Sequence, residues 1–403
     1  MRDVYNLVAK IKKSGNKLTD EDQVAELLVK FNMRADGNVA RIDENSRCQT
    51  AVVSLSSEHM RKLYHRFPEL VLIDCTHKTN IYNYQLCTQV VMNQFGNGQA
   101  VQHSVIERNA DWQMMKIIEH FQAVNSWEST KAIMVDKDLN EIEVLKKMFP
   151  DARILLCHFH VIKWLHGAVR NDEKFGTYPS EVLKQLDFCV ANLVYSKSED
   201  ELQGNAEEFR ILACRGDREA LWLYFDENWL DSKEMWVTYY RMYLPHFRNN
   251  TNNRLENFFG KLKVDLDSSF SMKQCLEAVL RYQRRKEEEY VTRVIKPGTK
   301  RNVKYGEEMN QLLGMTSEWL ADIVETEYDF AVEKGAIRNY SIDDEELCVT
   351  LQRDGRVHRV DKFDWMCSCE FSATMNLPCR HAMMYRKHTA GLMAIPYASI
   401  PSR

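Results

Sequence analysis

Apolar positions along the chain follow two periods, and the change from one to the other divides it. Val4 to Ile11 and Asp20 to Phe31 carry apolar residues at helical spacing, with Thr19-Asp20 as a start signal. Ser56, Ser57 and Glu58 before Met60, Leu63 and Tyr64 predict another capped helix. Residues 1–66 therefore read as a helical N-terminal region. It is either a three-helix unit, with helix-turn-helix open, or a cover for one edge of the next domain. The abrupt start in helix-forming sequence allows for a further domain before it.

From Glu69 the runs become continuous. Leu70-Val71-Leu72-Ile73 ends in Asp74, which suits a central strand buried on both faces. Leu86–Met92 and Ala100–Ile106 predict two more strands, with Gly96-Asn97-Gly98 as the turn between them. Asp111–Val124 predicts an amphipathic helix with Trp112, Met115, Ile118 and Phe121 near one face. Strand Lys131–Val135 then ends in Asp136, followed by helix Glu141–Phe149, strand Ala152–Cys157 and helix His160–Val169. Three strands in series followed by alternating helix and strand describe a mixed α/β sheet.

The aromatics between 222 and 240 recur at helical spacing and read as core of a helical insertion at about 171–248, rather than as a base-stacking platform. The run Asn249-Asn250-Thr251-Asn252-Asn253 predicts a helix start, with Leu255, Phe258, Phe259 and Leu262 on the apolar face and Glu256 at its border. Residues 67–290 thus form the core with its insertion, and 291–345 a helical connector. In 346–390 a hairpin is predicted, Leu347–Leu351 and Val357–Val360 turning at Arg353-Asp354-Gly355-Arg356. Residues 391–403 are a loosely held tail.

With 403 residues the chain has room for two or three domains, and a net charge of −4 rules out a general polycation. Contact with nucleic acid must then come from a local patch. Eleven cysteines without a recognisable leader argue for a reducing compartment, nucleus or cytoplasm, and against a disulfide framework. No apolar run is long enough to span a bilayer, so no membrane role is expected.

Chemistry concentrates in three places. Cys367, Cys369, Cys379 and His381 form Cys-x-Cys-x9-Cys-x-His, a complete tetrahedral set for structural zinc. Asp74 and Asp136, at the ends of neighbouring central strands, need either cationic or hydrogen-bonding partners or a shared divalent metal, magnesium or manganese. A third acid for such a site would come from a helix returning to the sheet. Lys296, Lys300, Arg301 and Lys304 lie in a Pro-Gly loop without nearby acids in sequence, and are candidates for phosphate contact together with Arg380. Arg281, Arg284, Arg285 and Lys286 are followed by Glu287, Glu288 and Glu289 and read as a solvated helix face.

The stretch WMCSCEFSATMNLPCRH closely resembles the SWIM-type zinc finger, at all four ligand positions. IDCTHKTNIYNYQL, MVDKDLNEIEVLKKMFPDARILLCHFHVIKW and TNNRLENFFGKLK resemble the ribonuclease-H-like core of Mutator-like transposases. That resemblance covers roughly residues 50–390. It implies a DDE triad of Asp74, Asp136 and Glu256, with Asp138 as a rival ligand, and an auxiliary Cys-x-x-His at Cys157 and His160. Cys157 and His160 alone do not hold zinc, and read as positioning the site, touching DNA or packing in the core. Vertebrate transposase-derived SWIM proteins look like the nearest kin. The function this implies is zinc-dependent binding of DNA or a nuclear protein without turnover. Alternatives are a magnesium-dependent DDE nuclease or transposase and a pure protein-interaction scaffold.

Overall fold

The computed structural model describes residues 18–401 except 138 and 295–299, and the side chains of 139 and 140 are also outside it. The expected helix Val4–Ile11 and the candidates Asp138 and Lys296 lie outside the described residues. The elements in order are α1 (Asp20–Arg34), β1 (Val39–Glu44), β2 (Thr50–Ser56), α2 (Glu58–Arg66), β3 (Leu70–Thr76), β4 (Gln85–Met92), β5 (Gly98–Ile106), α3 (Asp111–Gln122), β6 (Ala132–Val135), α4 (Leu139–Met148), β7 (Arg153–Leu156) and α5 (His158–Val169). The insertion adds α6 (Asp172–Phe175), α7 (Ser180–Tyr195), α8 (Glu199–Ala213), α9 (Ala220–Asn228) and α10 (Thr238–Arg241). The chain returns through α11 (Asn253–Leu262) and α12 (Met272–Val294). It then forms α13 (Glu307–Met315), α14 (Glu318–Val332), β8 (Ser341–Asp344), β9 (Cys348–Arg353), β10 (Arg356–Asp361), α15 (Glu370–Met375) and α16 (Arg380–His388).

Strands β1 to β7 make one sheet in the order β1-β2-β5-β4-β3-β6-β7. Pairing is antiparallel from β1 across to β3, then parallel from β3 to β6 and from β6 to β7. The sheet is sandwiched, and period-2 alternation feeds both cores. Val71 and Ile73 face α3, α4, α5 and the insertion, whereas Leu70 and Leu72 face α1, α11 and α12. Mixed pairing with helices on both faces is the α/β architecture expected.

The N-terminal region is not wholly helical. α1 forms, with Thr19 accepting from the Asp22 amide and Asp22 accepting from the Thr19 amide at 3.0 Å. Between α1 and α2, however, β1 and β2 extend the sheet at its antiparallel edge. Ala51, Val52, Val53 and Leu55 are almost fully buried, with Val52 on one core and Val53 and Leu55 on the other. A run that short has no helical period to display, and its burial comes from its place in the sheet between β1 and β5, with a core on each face. Helix α3 is also rotated from expectation. Met114, Ile117, Ile118 and Phe121 are buried while Trp112 is 37% exposed.

The segment 291–345 is more than a connector. Met309, Leu312, Ala321, Val324 and Ala331 from α13 and α14 share one core with Val349, Leu351, Val360, Cys379 and Met383. β8 adds a third strand to the expected hairpin, in the order β10-β9-β8. Of the insertion aromatics, Phe225, Trp229 and Trp236 are core as expected, with the Trp236 indole donating to the Trp229 carbonyl at 2.9 Å, whereas Tyr239 is exposed. Among the described residues, no helix is long and apolar enough to cross a membrane.

Candidate functional site

The cysteine-rich module is built by its turns. Asp354 and Gly355 both have positive φ, as a two-residue hairpin turn requires, and this fixes the register of β9 and β10. A bridge between Val360 and Cys367 folds the next segment back onto β10. Cys369 is the N-cap of α15 and Cys379 the N-cap of α16, so two sulfurs sit at the positive ends of helices. Asn376, in the left-handed region, ends α15 and turns the chain towards Cys379. Sequence gave the entry into α16 but not α15.

The four donor atoms of Cys367, Cys369, Cys379 and His381 lie within 4.8 Å of one another, and all four residues are buried. His381 Nδ1 is 3.6 Å from Cys379 Sγ and 3.8 Å from Cys367 Sγ. With Zn–S near 2.3 Å and Zn–N near 2.05 Å, a tetrahedron requires S···N separations of about 3.6 Å. The cluster could therefore hold a zinc ion with little rearrangement. The thiols press on one another without a cation. Cys367 and Cys379 hold Cys369 well below the usual thiol range, Cys369 pushes Cys367 up to about 12, and burial raises Cys379. A divalent ion removes that conflict, since it accepts three thiolates at once. Around the donors, the Cys367 amide donates to Ser372 Oγ at 3.1 Å and His381 stacks on His358, with ring centroids 4.1 Å apart.

The acidic cleft lies at the C-terminal ends of the parallel strands. β3 and β6 pair as Leu70 with Ala132 and Leu72 with Met134, which brings Asp74 and Asp136 to the same level. Glu256 is in the first turn of α11, and His160 in the first turn of α5. His160 joins the acids: Nδ1 is 2.7 Å from Asp136 Oδ1 and Nε2 is 3.6 Å from Glu256 Oε1. Asp74 accepts from the Cys75 amide at 2.7 Å. Burial, then the Asp136 carboxylate, push Asp74 up to about 7, and Glu256 adds to the effect. Asp136, then the Cys157 sulfur, hold His160 up to about 10. The structure thus brings together Asp74, Asp136, Glu256, Cys157 and His160.

Asn252 was expected only as a helix start. As the N-cap of α11 it makes no side-chain cap; its amide group donates to Asp136 Oδ1 at 3.0 Å instead. Its backbone N–H points at Cys157 Sγ, 3.3 Å away. The Asn run signalled a helix end, and only its docking on β6 and β7 reveals this second use. Arg241, hidden in an aromatic-rich stretch, is another residue that sequence did not single out. It is 1% exposed and donates to the Leu156 and Met235 carbonyls.

The basic candidates divide. Lys300 is not free of acids: its ammonium lies 2.8 Å from Glu318, which folding brings to it from α14. Arg380 is also committed, as its guanidinium grips Glu327 through two contacts of 2.6 and 3.0 Å, and Glu327 is 4% exposed. Both were expected to contact phosphate, but each is held by a carboxylate from a distant helix. Arg301 and Lys304 are exposed. Glu327→Ala should cost about 3 kcal/mol of stability in urea denaturation of the C-terminal module, because it leaves the partly buried Arg380 unpaired.

The segment from within α1 to β7 carries the decisive likeness. Residues 29–155 match the family model for Zinc finger SWIM domain-containing protein 1/3, RNaseH-like domain. The core is RNase H-like. The match includes Asp74 and Asp136 and takes in β1 and β2, in agreement with their place in the sheet. Cys157, His160, Glu256 and the Cys/His cluster lie beyond it, and what they do rests on geometry.

Proposed function

We propose that the chain is a transposase-derived nuclear protein that uses a zinc-organised C-terminal module to bind DNA, and that its RNase H-like cleft does not turn over. The observation carrying the second half is His160. Two-metal phosphoryl transfer needs Asp136 and Glu256 free to hold cations. In this chain an imidazole lies between them, 2.7 Å from Asp136 and 3.6 Å from Glu256, in the space a pair of hard cations would need.

When bound, zinc would tie the two ends of the Cys/His loop together and fix α16 against α14. DNA contact would be electrostatic, with Arg301 and Lys304 as its exposed cations. A protein partner is the second reading. It is favoured by the pairing of Lys300 and Arg380, which reduces the charge available to phosphate. It is also favoured by a cavity of about 1110 Å³ between the core and the C-terminal module, lined by Phe95, Phe247 and Trp319 among others. The enzyme reading rests on the approach of the three acids, with magnesium or manganese displacing His160.

The test is a salt titration of full-chain binding to duplex DNA, with manganese and a nicking assay on the same samples. The expected result is affinity that falls steeply with salt, a slope reduced by about one for each of Arg301→Ala and Lys304→Ala, and no cleavage. Absence of binding at low salt would favour the protein partner. Nicking that disappears in Asp136→Asn would establish the enzyme.

A further inference from the structure

The cleft contains a donor set that belongs neither to the Cys/His module nor to a pair of hard cations. One donor atom from each of Asp136, Cys157 and His160 lies within 4.8 Å of the others. Sequence offered only Cys157 and His160, a two-ligand set. The fold adds the third ligand, because β6 and β7 are adjacent parallel strands whose ends deliver Asp136 and Cys157 side by side. We propose that Asp136, Cys157 and His160 form a second zinc site, distinct from the Cys-rich one, with its fourth position open to the cleft.

Three observations support it. The first is the softness of the set. A thiolate and an imidazole beside one carboxylate suit zinc rather than magnesium, and three protein ligands leave the fourth position of a tetrahedron for water or another ligand.

The second is the outer shell. A histidine that ligates through one nitrogen commonly directs the other to a carboxylate. His160 presents Nδ1 to Asp136 and Nε2 to Glu256, 3.6 Å away. Asn252 supports both remaining ligands, through its side chain to Asp136 and its backbone N–H to Cys157. On this reading Glu256 orients a ligand rather than holding a metal.

The third is Arg241, which donates to the carbonyl of Leu156, the residue before Cys157. It is almost fully buried, its Nε and Nη1 have no hydrogen-bond partner, and among the described residues it forms no ion pair with a carboxylate. The opposing charge that acts on it is the Cys157 sulfur. A buried arginine without a carboxylate beside it favours negative charge nearby, and a zinc-bound Cys157 sulfur would supply it. Zinc would take the place of the proton that otherwise joins His160 to Asp136, and the 2.7 Å contact would open to about 3.3 Å to fit Zn–O and Zn–N bonds.

The test counts metal in the full chain. After gel filtration from buffer with slight excess zinc, the wild type should hold two zinc ions per chain by mass spectrometry. Cys157→Ser should hold one, and Cys379→Ala should keep the other. With cobalt, thiolate charge-transfer absorbance should fall by about a quarter in Cys157→Ser, since one of four coordinating thiolates is lost. Asp136→Asn, which leaves the buried sulfur and Arg241 untouched, provides the same count if Cys157→Ser misfolds. One zinc per chain in the wild type, or two retained in folded Cys157→Ser and Asp136→Asn, would overturn the site. These counts are independent of DNA affinity, so the proposal can fail while the binding function stands, and the reverse.

Discussion

Cys379→Ala should lower zinc content by one ion per chain and unfold the C-terminal module from α13 to α16. Cys379 has no exposed surface and sits in the same core as Leu312, Val324, Val349 and Met383. Loss of the ion would therefore reach beyond the short loop that carries the ligands. Structural zinc in small domains supplies on the order of 10 kcal/mol of folding free energy, more than a core of this size holds in reserve. The sheet β1–β7 has its own two cores and should remain folded. Hydrogen exchange read by mass spectrometry should show protection lost across 307–388 and kept across 39–156. Unchanged zinc content in this variant would refute the ligand assignment. Loss of protection confined to 365–388 would refute the shared core.

Asp74→Asn should make the protein more stable at pH 8 than the wild type, and no different at pH 4. A carboxyl raised to about 7 in the fold, against about 3.9 in the unfolded chain, retains a proton that the unfolded chain releases. Stability therefore falls as pH rises between those two values. The three-unit difference corresponds to about 4 kcal/mol, reduced to about 2–4 kcal/mol because the carboxyl is partly exposed. Asparagine keeps the shape and removes the charge. Urea denaturation in magnesium-free buffer at both pH values measures the effect. Equal stability at pH 8 would mean that Asp74 is not held against Asp136 and Glu256 as the structure has it. Stored destabilisation of this kind is common where acids are gathered for chemistry.

What sequence determined about this protein was whatever depends on near neighbours. Leu70–Ile73 is apolar at every position, which marks a strand covered on both sides. Four soft donors within fifteen residues, Cys367 to His381, can meet without help from the rest of the chain. The hairpin turn at Asp354-Gly355 carries its own conformational signal, and so does the helix start at Thr19. These features survived folding unchanged because local geometry is enough to satisfy them.

Tertiary structure decided whatever depends on partners far along the chain. β1 and β2 have no period of their own to set them apart from helix, and pairing of β2 with β5, and of β1 with β2, made them strands. Lys300 and Arg380 looked free because Glu318 and Glu327 are distant in sequence, yet ion pairs form between residues close in space. Asn252 carried a helix-start signal that was correct and incomplete, since only its docking beside β6 and β7 set its amide against Asp136 and its N–H against Cys157. Arg241 gave no signal at all, and its meaning comes from its burial against the Leu156 and Met235 carbonyls. The physical reason is the same throughout: backbone preferences and short ligand motifs act over a few residues, whereas burial, charge pairing and a third metal ligand are properties of the assembled sheet.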